Sequence, residues 1–365
     1  MRVLIVLPRN MRYGEVGATS IDLTVRDLVE HRPDWVQCTI AAAHSGETFA
    51  GHEVVRIAET STRKKVKDVV ALLRTEPYDV VVVQQHLPTA AKLARVTDIP
   101  VILHTHNFQK SAQRSGIFPS LRRQFRLSRY QSLAGLIHVS EACHAHFRKH
   151  WPEFEGLQTV VYNGLDMCAW QPQVRREEVI LCTARNVAEK GVLPAAEATR
   201  EVLNLRQDWR AIFILSETVP GDDYAQATLA TLRGHKRISV LLDQPHAVVK
   251  KAYESSAIAI VPSVWDEPFG RTALEGHAGG CSVVSSSSGG LAEVSGGHAL
   301  KLRSVTKESI VEALLSLIDG SALRSSLANR GRLFVERNFD IVSVSQHFAD
   351  FCRAVASSNQ AKRGH

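Results

Sequence analysis

Short unbroken apolar runs recur along the chain: VLIVL at 3–7, VVVV at 80–83, VIL at 101–103, VILC at 179–182, AIFIL at 211–215, VLL at 240–242, AIAIV at 257–261 and SVVS at 282–285. None alternates apolar with polar residues, so each predicts a strand buried on both faces, as in parallel sheets. Between them the apolar positions take helical spacing, as in SIDLTVRDLVE at 20–30, KKVKDVVALLR at 64–74 and HAVVKKAYESS at 246–256. Strands alternating with helices predict βαβ units, and hence an α/β chain of doubly wound, Rossmann-like sheets.

One stretch interrupts the alternation. DMCAWQPQVRREE at 166–178 is polar and carries a proline, the composition of a domain boundary. The expected division is a Rossmann-like N-terminal domain over 1–168, a second such domain over 169–338 and a closing helix over 339–365. Two such sheets are expected to face each other across a cleft, where the carboxyl ends of their strands bind ligands. In the last segment Ile341, Val344, Phe348, Phe351 and Val355 fall at amphipathic spacing.

Composition fits this division, because 365 residues with 44% hydrophobic content can bury two cores. Lys and Arg total 44 against 37 Asp and Glu, a net charge of +7 that suits a phosphorylated ligand or an anionic membrane surface. Nucleic acid is not expected, since no basic motif interleaved with aromatics occurs. The six cysteines contain no C-x-x-C pair, so reduced thiols are expected rather than zinc ligands. His146 and His150, four apart in CHAHFRKH, lack an evident third ligand and read as surface histidines. The opening MRVLIVLPRN reads as a first strand, its apolar run being too short for a signal-peptide core. No run reaches membrane-spanning length, and a cytoplasmic chain, at most peripheral to a membrane, is expected.

The chemistry gathers at the predicted strand exits. After VILCTA comes RNVAEKGV, with Arg185 and Lys190 flanking a loop that enters a helix. Read alone, the two are either solvated basic residues or a cationic clamp on a diphosphate, Arg as a fork of donors and Lys as a point charge. WDEPFGRTALEGHAGG at 265–280 follows the strand AIAIV and sets Glu267 and Glu275 eight positions apart. A Glu just inside a helix can accept hydrogen bonds from a vicinal diol; it can equally serve the helix dipole. SSSSGGLAEV at 285–294 places Gly289 and Gly290 before a helix, where backbone N–H groups can approach a phosphate, although turns use Gly-Gly constantly. In the first half, His104 and His106 stand two apart after VIL, so a continuing strand points both to one face. A Gly-containing loop, RYGEVGATS, precedes the first helix.

In order and spacing these segments resemble the retaining GT-B glycosyltransferases of the large family 4. The resemblance is carried by NGLD (163–166), RNVAEKG (185–191), PSVWDEPFGRTALEG (262–276) and GGLAEV (289–294), and more weakly by HTHN (104–107) and the Gly14–Gly17 loop. It implies transfer of a sugar from a nucleotide diphosphate sugar with retention of configuration. Arg185 and Lys190 would hold the diphosphate without a metal. Glu275 would take the ribose hydroxyls and Glu267 the donor sugar. The backbone of Phe269, Gly270 and Arg271, with Gly289 and Gly290, would line the sugar and phosphates. His106 would stand near donor sugar and acceptor, and Gly14 or Gly17 would approach the diphosphate or acceptor. The closing helix would cross back onto the N-terminal domain. Ala184, where a Gly commonly precedes the arginine, departs from the family's pattern. A nucleotide-sugar 2-epimerase of the same fold and a non-catalytic nucleotide-sugar binding module remain open as alternatives.

Between His106 and GLIHVS at 135–140, residues 109–132 carry Lys110, Arg114, Arg122, Arg123, Arg126 and Arg129 without an acidic residue. With Leu121 and Phe125 close by, this segment is either a solvated basic face or a surface for an anionic membrane or a lipid-linked or glycan acceptor.

Overall fold

The computed structural model describes residues 1–8, 11, 13–14, 19–43, 48–49, 51–58, 61–109, 119–216 and 222–363. The chain forms two compact units, residues 1–164 together with 341–365, and residues 165–340.

Among the described residues of the first unit lie strands β1 (Arg2–Val6), β2 (Gln37–Ala42), β3 (Val54–Arg56), β4 (Val80–Gln84), β5 (Val101–Thr105), β6 (Gly135–His138) and β7 (Leu157–Val160). They pair in the order β3-β2-β1-β4-β5-β6-β7, and every pairing is parallel. The unbroken apolar runs have the predicted cause. In β1, Val3 and Ile5 join one core with Val82 and Ile102, while Leu4 and Val6 join another with Val81 and Leu103. Each face of the sheet therefore removes its own set of branched side chains from water. The helix Ile341–Arg363 completes the first of these cores with Ile341, Val344, Phe348 and Val355. Its approach is close: a Cβ on Gly135 would stand 3.1 Å from Phe351 Cζ and 3.1 Å from Val355 Cγ2.

The second unit contains β8 (Glu177–Arg185), β9 (Arg210–Ser216), β10 (Ile238–Leu242), β11 (Ser256–Val261), β12 (Ser282–Ser285) and β13 (Leu300–Lys301), all parallel in the order β10-β9-β8-β11-β12-β13. The strand order reverses between β1 and β4 and again between β8 and β11, which marks the carboxyl ends of those strands as the ligand-binding edges. The division falls at 164/165 and 340/341, a few residues away from the 168/169 and 338/339 expected above. The reason is local: Leu165 forms a parallel bridge with Asp340, and its N–H donates to Phe339 O at 2.9 Å, tying both residues into the second unit. No helix among the described residues is long and apolar enough to cross a membrane.

Candidate functional site

In the second unit β8 ends at Arg185, and one turn of 3-10 helix, Ala188–Lys190, leads to Gly191. Gly191 has φ of 64°, a left-handed conformation, and a Cβ there would collide with Pro262 O. The loop after β8 is thereby pressed against the loop after β11, where Val264 N donates to Glu189 O at 2.9 Å. This contact delivers Lys190 to Glu267, with Nζ 2.5 Å from Oε1. Ser263 donates its hydroxyl to the same carboxylate oxygen. Glu267 is buried, whereas Arg185 is exposed and makes no side-chain hydrogen bond or ion pair among the described residues.

Glu267 is also fixed through its backbone. It forms a parallel bridge with Gly289, and its carbonyl accepts from Gly290 N at 2.7 Å. Gly289 has φ of 54°, and a Cβ on Gly290 would lie 2.7 Å from Phe269 Cα. Only glycine permits this approach of the β12 loop to the β11 loop. The Gly290 N–H is used by Glu267 O and the Leu291 N–H by Ser288 O, so these two amides brace the loop.

Gly270, with φ of 113°, starts the helix Arg271–Ala278, and Phe269 beside it is buried edge-on against Phe339 at 5.8 Å between ring centroids. Within that helix Glu275 Oε1 accepts from Arg271 Nε and from His246 Nε2, each at 2.9 Å. Burial pushes the Glu275 carboxyl up, but the charges and hydrogen bonds of His246 and Arg271 outweigh it and set the pKa to about 2. The group is a buried carboxylate kept ionised by its partners. Glu267 and Glu275 are thus anchored alike, each through Oε1 by two donors. Oε2 of either has no hydrogen-bond partner among the described residues. Ser263 and His246 were not singled out from the sequence, because nothing local marks a serine four positions before one glutamate or a histidine 29 positions before the other.

In the first unit, strand alternation does bring His104 and His106 together, with ring centroids 4.3 Å apart. The His106 N–H donates to Gln85 Oε1 at 2.5 Å, and its Nε2 meets Gln84 Oε1 at 2.6 Å. Burial pushes His106 down to about 3, so the imidazole is neutral. His104 is fully buried, with neither ring nitrogen hydrogen-bonded among the described residues, and burial holds it well below its ordinary range. Gln85, beside them, takes φ of 56°, a strained value for a non-glycine residue. Gly14 is buried; Gly17, Lys110 and Arg114 lie outside the described residues. On the helix Pro119–Gln131, Leu121 and Phe125 are 58% and 56% exposed, and the Arg129 guanidinium lies 4.2 Å from the Phe125 ring centroid. Arg123 is instead engaged by Glu153 at 2.8 Å. His146 Nε2 meets Gln109 O at 3.1 Å, and among the described residues no group of three or more His, Cys, Asp or Glu could hold a metal ion.

Two family models match adjoining parts of the chain. Glycosyltransferase Family 4 matches residues 24–167, and Glycosyl transferases group 1 matches residues 170–334, the stretch that contains both glutamates and their partners. The chain belongs to the family 4 glycosyltransferases. It is 29% identical over 150 residues to an uncharacterized glycosyltransferase of Methanocaldococcus jannaschii, a match that covers 37% of this chain and 37% of that protein. It is 26% identical over 294 residues to glycogen synthase of Mycobacterium tuberculosis, covering 75% of this chain and 66% of that enzyme. The chain therefore spans between about a third and two thirds of the curated relatives it matches. Among solved structures, Anabaena HepE in complex with UDP superposes with a TM-score of 0.75 at 16% identity, covering 97% of this chain and 100% of that one. Sucrose-phosphate synthase from Thermosynechococcus elongatus gives 0.77 at 15% identity, covering 98% and 100%. At such identity these two likenesses speak for the fold, which is GT-B with two Rossmann-like domains.

Proposed function

We propose that the chain transfers a hexosyl group from a nucleoside diphosphate sugar to an acceptor hydroxyl, with retention of configuration and without a metal ion. The observation that carries this reading is the Lys190–Glu267 pair at the switch point of the second sheet, with the exposed Arg185 on the same loop. The complexes of HepE with UDP and with UDP-glucose support a donor of that class. As the bond to the leaving diphosphate breaks, negative charge grows on its oxygens. Lys190 and Arg185 supply fixed positive charge there, and Glu267 holds the ammonium in place while its second oxygen accepts from a sugar hydroxyl. Glu275 accepts from the ribose hydroxyls. From the first unit, His106 offers a hydrogen bond without a charge.

The acceptor is proposed to be a cell-envelope glycan or lipid-linked glycan, met at the cytoplasmic face of an anionic membrane. Exposed Leu121 and Phe125 beside Arg122, Arg126 and Arg129 support this reading. Co-sedimentation with anionic but not neutral vesicles tests it. The donor is tested by a thermal-shift panel of UDP, GDP, ADP and their sugar conjugates, with and without chelator. A rise for one nucleotide that persists in chelator supports the reading; a flat panel at millimolar ligand counts against it. Incubation with donor alone separates the transferase from an epimerase, which would convert the donor without an acceptor.

A further inference from the structure

Arg271, one helical turn before Glu275, is by itself enough to neutralise that carboxylate. A second donor nevertheless reaches the same oxygen from another element. His246 begins the helix His246–Ser255 that follows β10, and the turn before it is fixed by hydrogen bonds. Asp243 takes φ of 48° there while its N–H donates to Leu215 O at 2.9 Å, and Gln244 Nε2 donates to Leu242 O at 2.8 Å. The imidazole is flanked edge-on by Trp170 at 6.4 Å between centroids, and Trp170 is itself held by Arg332 Nη2 on its carbonyl at 3.0 Å. The His246 side chain is 27% exposed and that of Glu275 only 6%, so the histidine forms the outer part of the pair.

We infer that His246 is a positioning residue of the nucleotide site, fixing Glu275 so that its Oε2 receives the vicinal hydroxyls of the nucleotide's ribose. The inference rests on the reading of Glu275 given under the proposed function. A carboxylate held by one arginine from its own helix keeps rotational freedom about its terminal bond. Two charge-assisted donors from different elements on one oxygen set the plane of the group before any ligand arrives. The oxygen that remains can accept two hydrogen bonds, one from each hydroxyl. His246 thereby makes the site sensitive to the sugar of the nucleotide.

The test uses the full chain and the one of UDP, GDP and ADP that binds it, compared by calorimetry with the 2′,3′-dideoxy form of the same nucleotide. In the unsubstituted protein the dideoxy form is expected to bind about tenfold or more weakly, the effect of leaving a buried charged acceptor unpaired. In His246→Leu the ribose form should weaken to nearly the dideoxy affinity while the dideoxy form is unchanged. In turnover, KM for the donor should rise about tenfold with kcat within about twofold, as for loss of uniform binding. His246→Gln, whose amide N–H can donate to Oε1, should restore discrimination. Full discrimination in His246→Leu overturns the proposal, and so does an equal loss for both nucleotides, the mark of a collapsed loop. Failure of the unsubstituted protein to bind any of the three, or equal binding of ribose and dideoxy forms by it, overturns the reading of Glu275 itself.

Discussion

At the carboxyl ends of β8 and β11 the polar side chains come as ion pairs, Glu267 with Lys190 and Glu275 with Arg271 and His246. At the carboxyl ends of β4 and β5 they come as neutral pairs, His106 with Gln84 and Gln85. Both regions meet the same cost, the removal of a titratable group from water. In the second unit partner charges outweigh that cost, and Glu275 sits at about 2. In the first unit no carboxylate answers it, burial prevails, and His106 sits at about 3. Two sheets with one winding thus present opposite chemistry, fixed charge on one and uncharged hydrogen-bonding groups on the other.

Removing the fixed charge should do the most damage. Lys190→Ala is expected to lower kcat by about 10²–10³, with a smaller loss for the exposed Arg185→Ala, measured as nucleotide release in the presence of acceptor. Near-normal turnover in both variants would end the proposed role of this loop. Gly191→Ala places a side chain against Pro262 O at a left-handed residue and should lower stability by about 1–3 kcal/mol in thermal denaturation.

Acid should separate the two regions. His104, His106 and His138 are buried with depressed pKa values, and in the second unit His277 is depressed likewise. A depressed histidine contributes stability that is complete above its unfolded pKa of about 6.5 and is lost as pH falls toward the folded value. The depressed Glu275 loses its contribution only below the unfolded carboxyl value of about 4.3. Hydrogen exchange should therefore show β5 and β6, beside His104, His106 and His138, losing more protection than β8 as pH falls below about 6.5, since the second unit answers through His277 in the helix Arg271–Ala278. Simultaneous opening of the two units would contradict the comparison. The smallest effect concerns His106. Because its imidazole is already neutral, the pH dependence of kcat between about pH 6 and 8 should be the same in His106→Asn as in the unsubstituted protein.

The fold was legible where burial is two-sided. VLIVL, VVVV and AIAIV could be read because both faces of those strands are covered, and SIDLTVRDLVE could be read as the helix Ser20–Glu30. β2, with a polar start in QCTIAA, and the short β3, β6, β7 and β13 were not among the runs read. Their strand character comes from pairing with a neighbour, which no local window contains. The same holds at the site. Glu267, Glu275, Arg185 and Lys190 lie at strand exits that a linear pattern exposes, whereas the second donor on each carboxylate depends on which loops the sheet order brings together. The Gly289–Gly290 dipeptide was legible as a glycine requirement but not as its cause, since only the folded chain places Phe269 and Glu267 against it.

The first unit is discontinuous in sequence: residues 341–365 complete it after the chain has passed through all of 165–340. On a ribosome making protein from the N-terminus, the core under Ile341, Val344, Phe348 and Val355 stays open to water until that helix emerges. The second unit, contiguous from 165 to 340, is already whole by then. The half of the molecule synthesised first is therefore the half finished last, and during that interval the apolar face beside Gly135 lacks the helix that covers it.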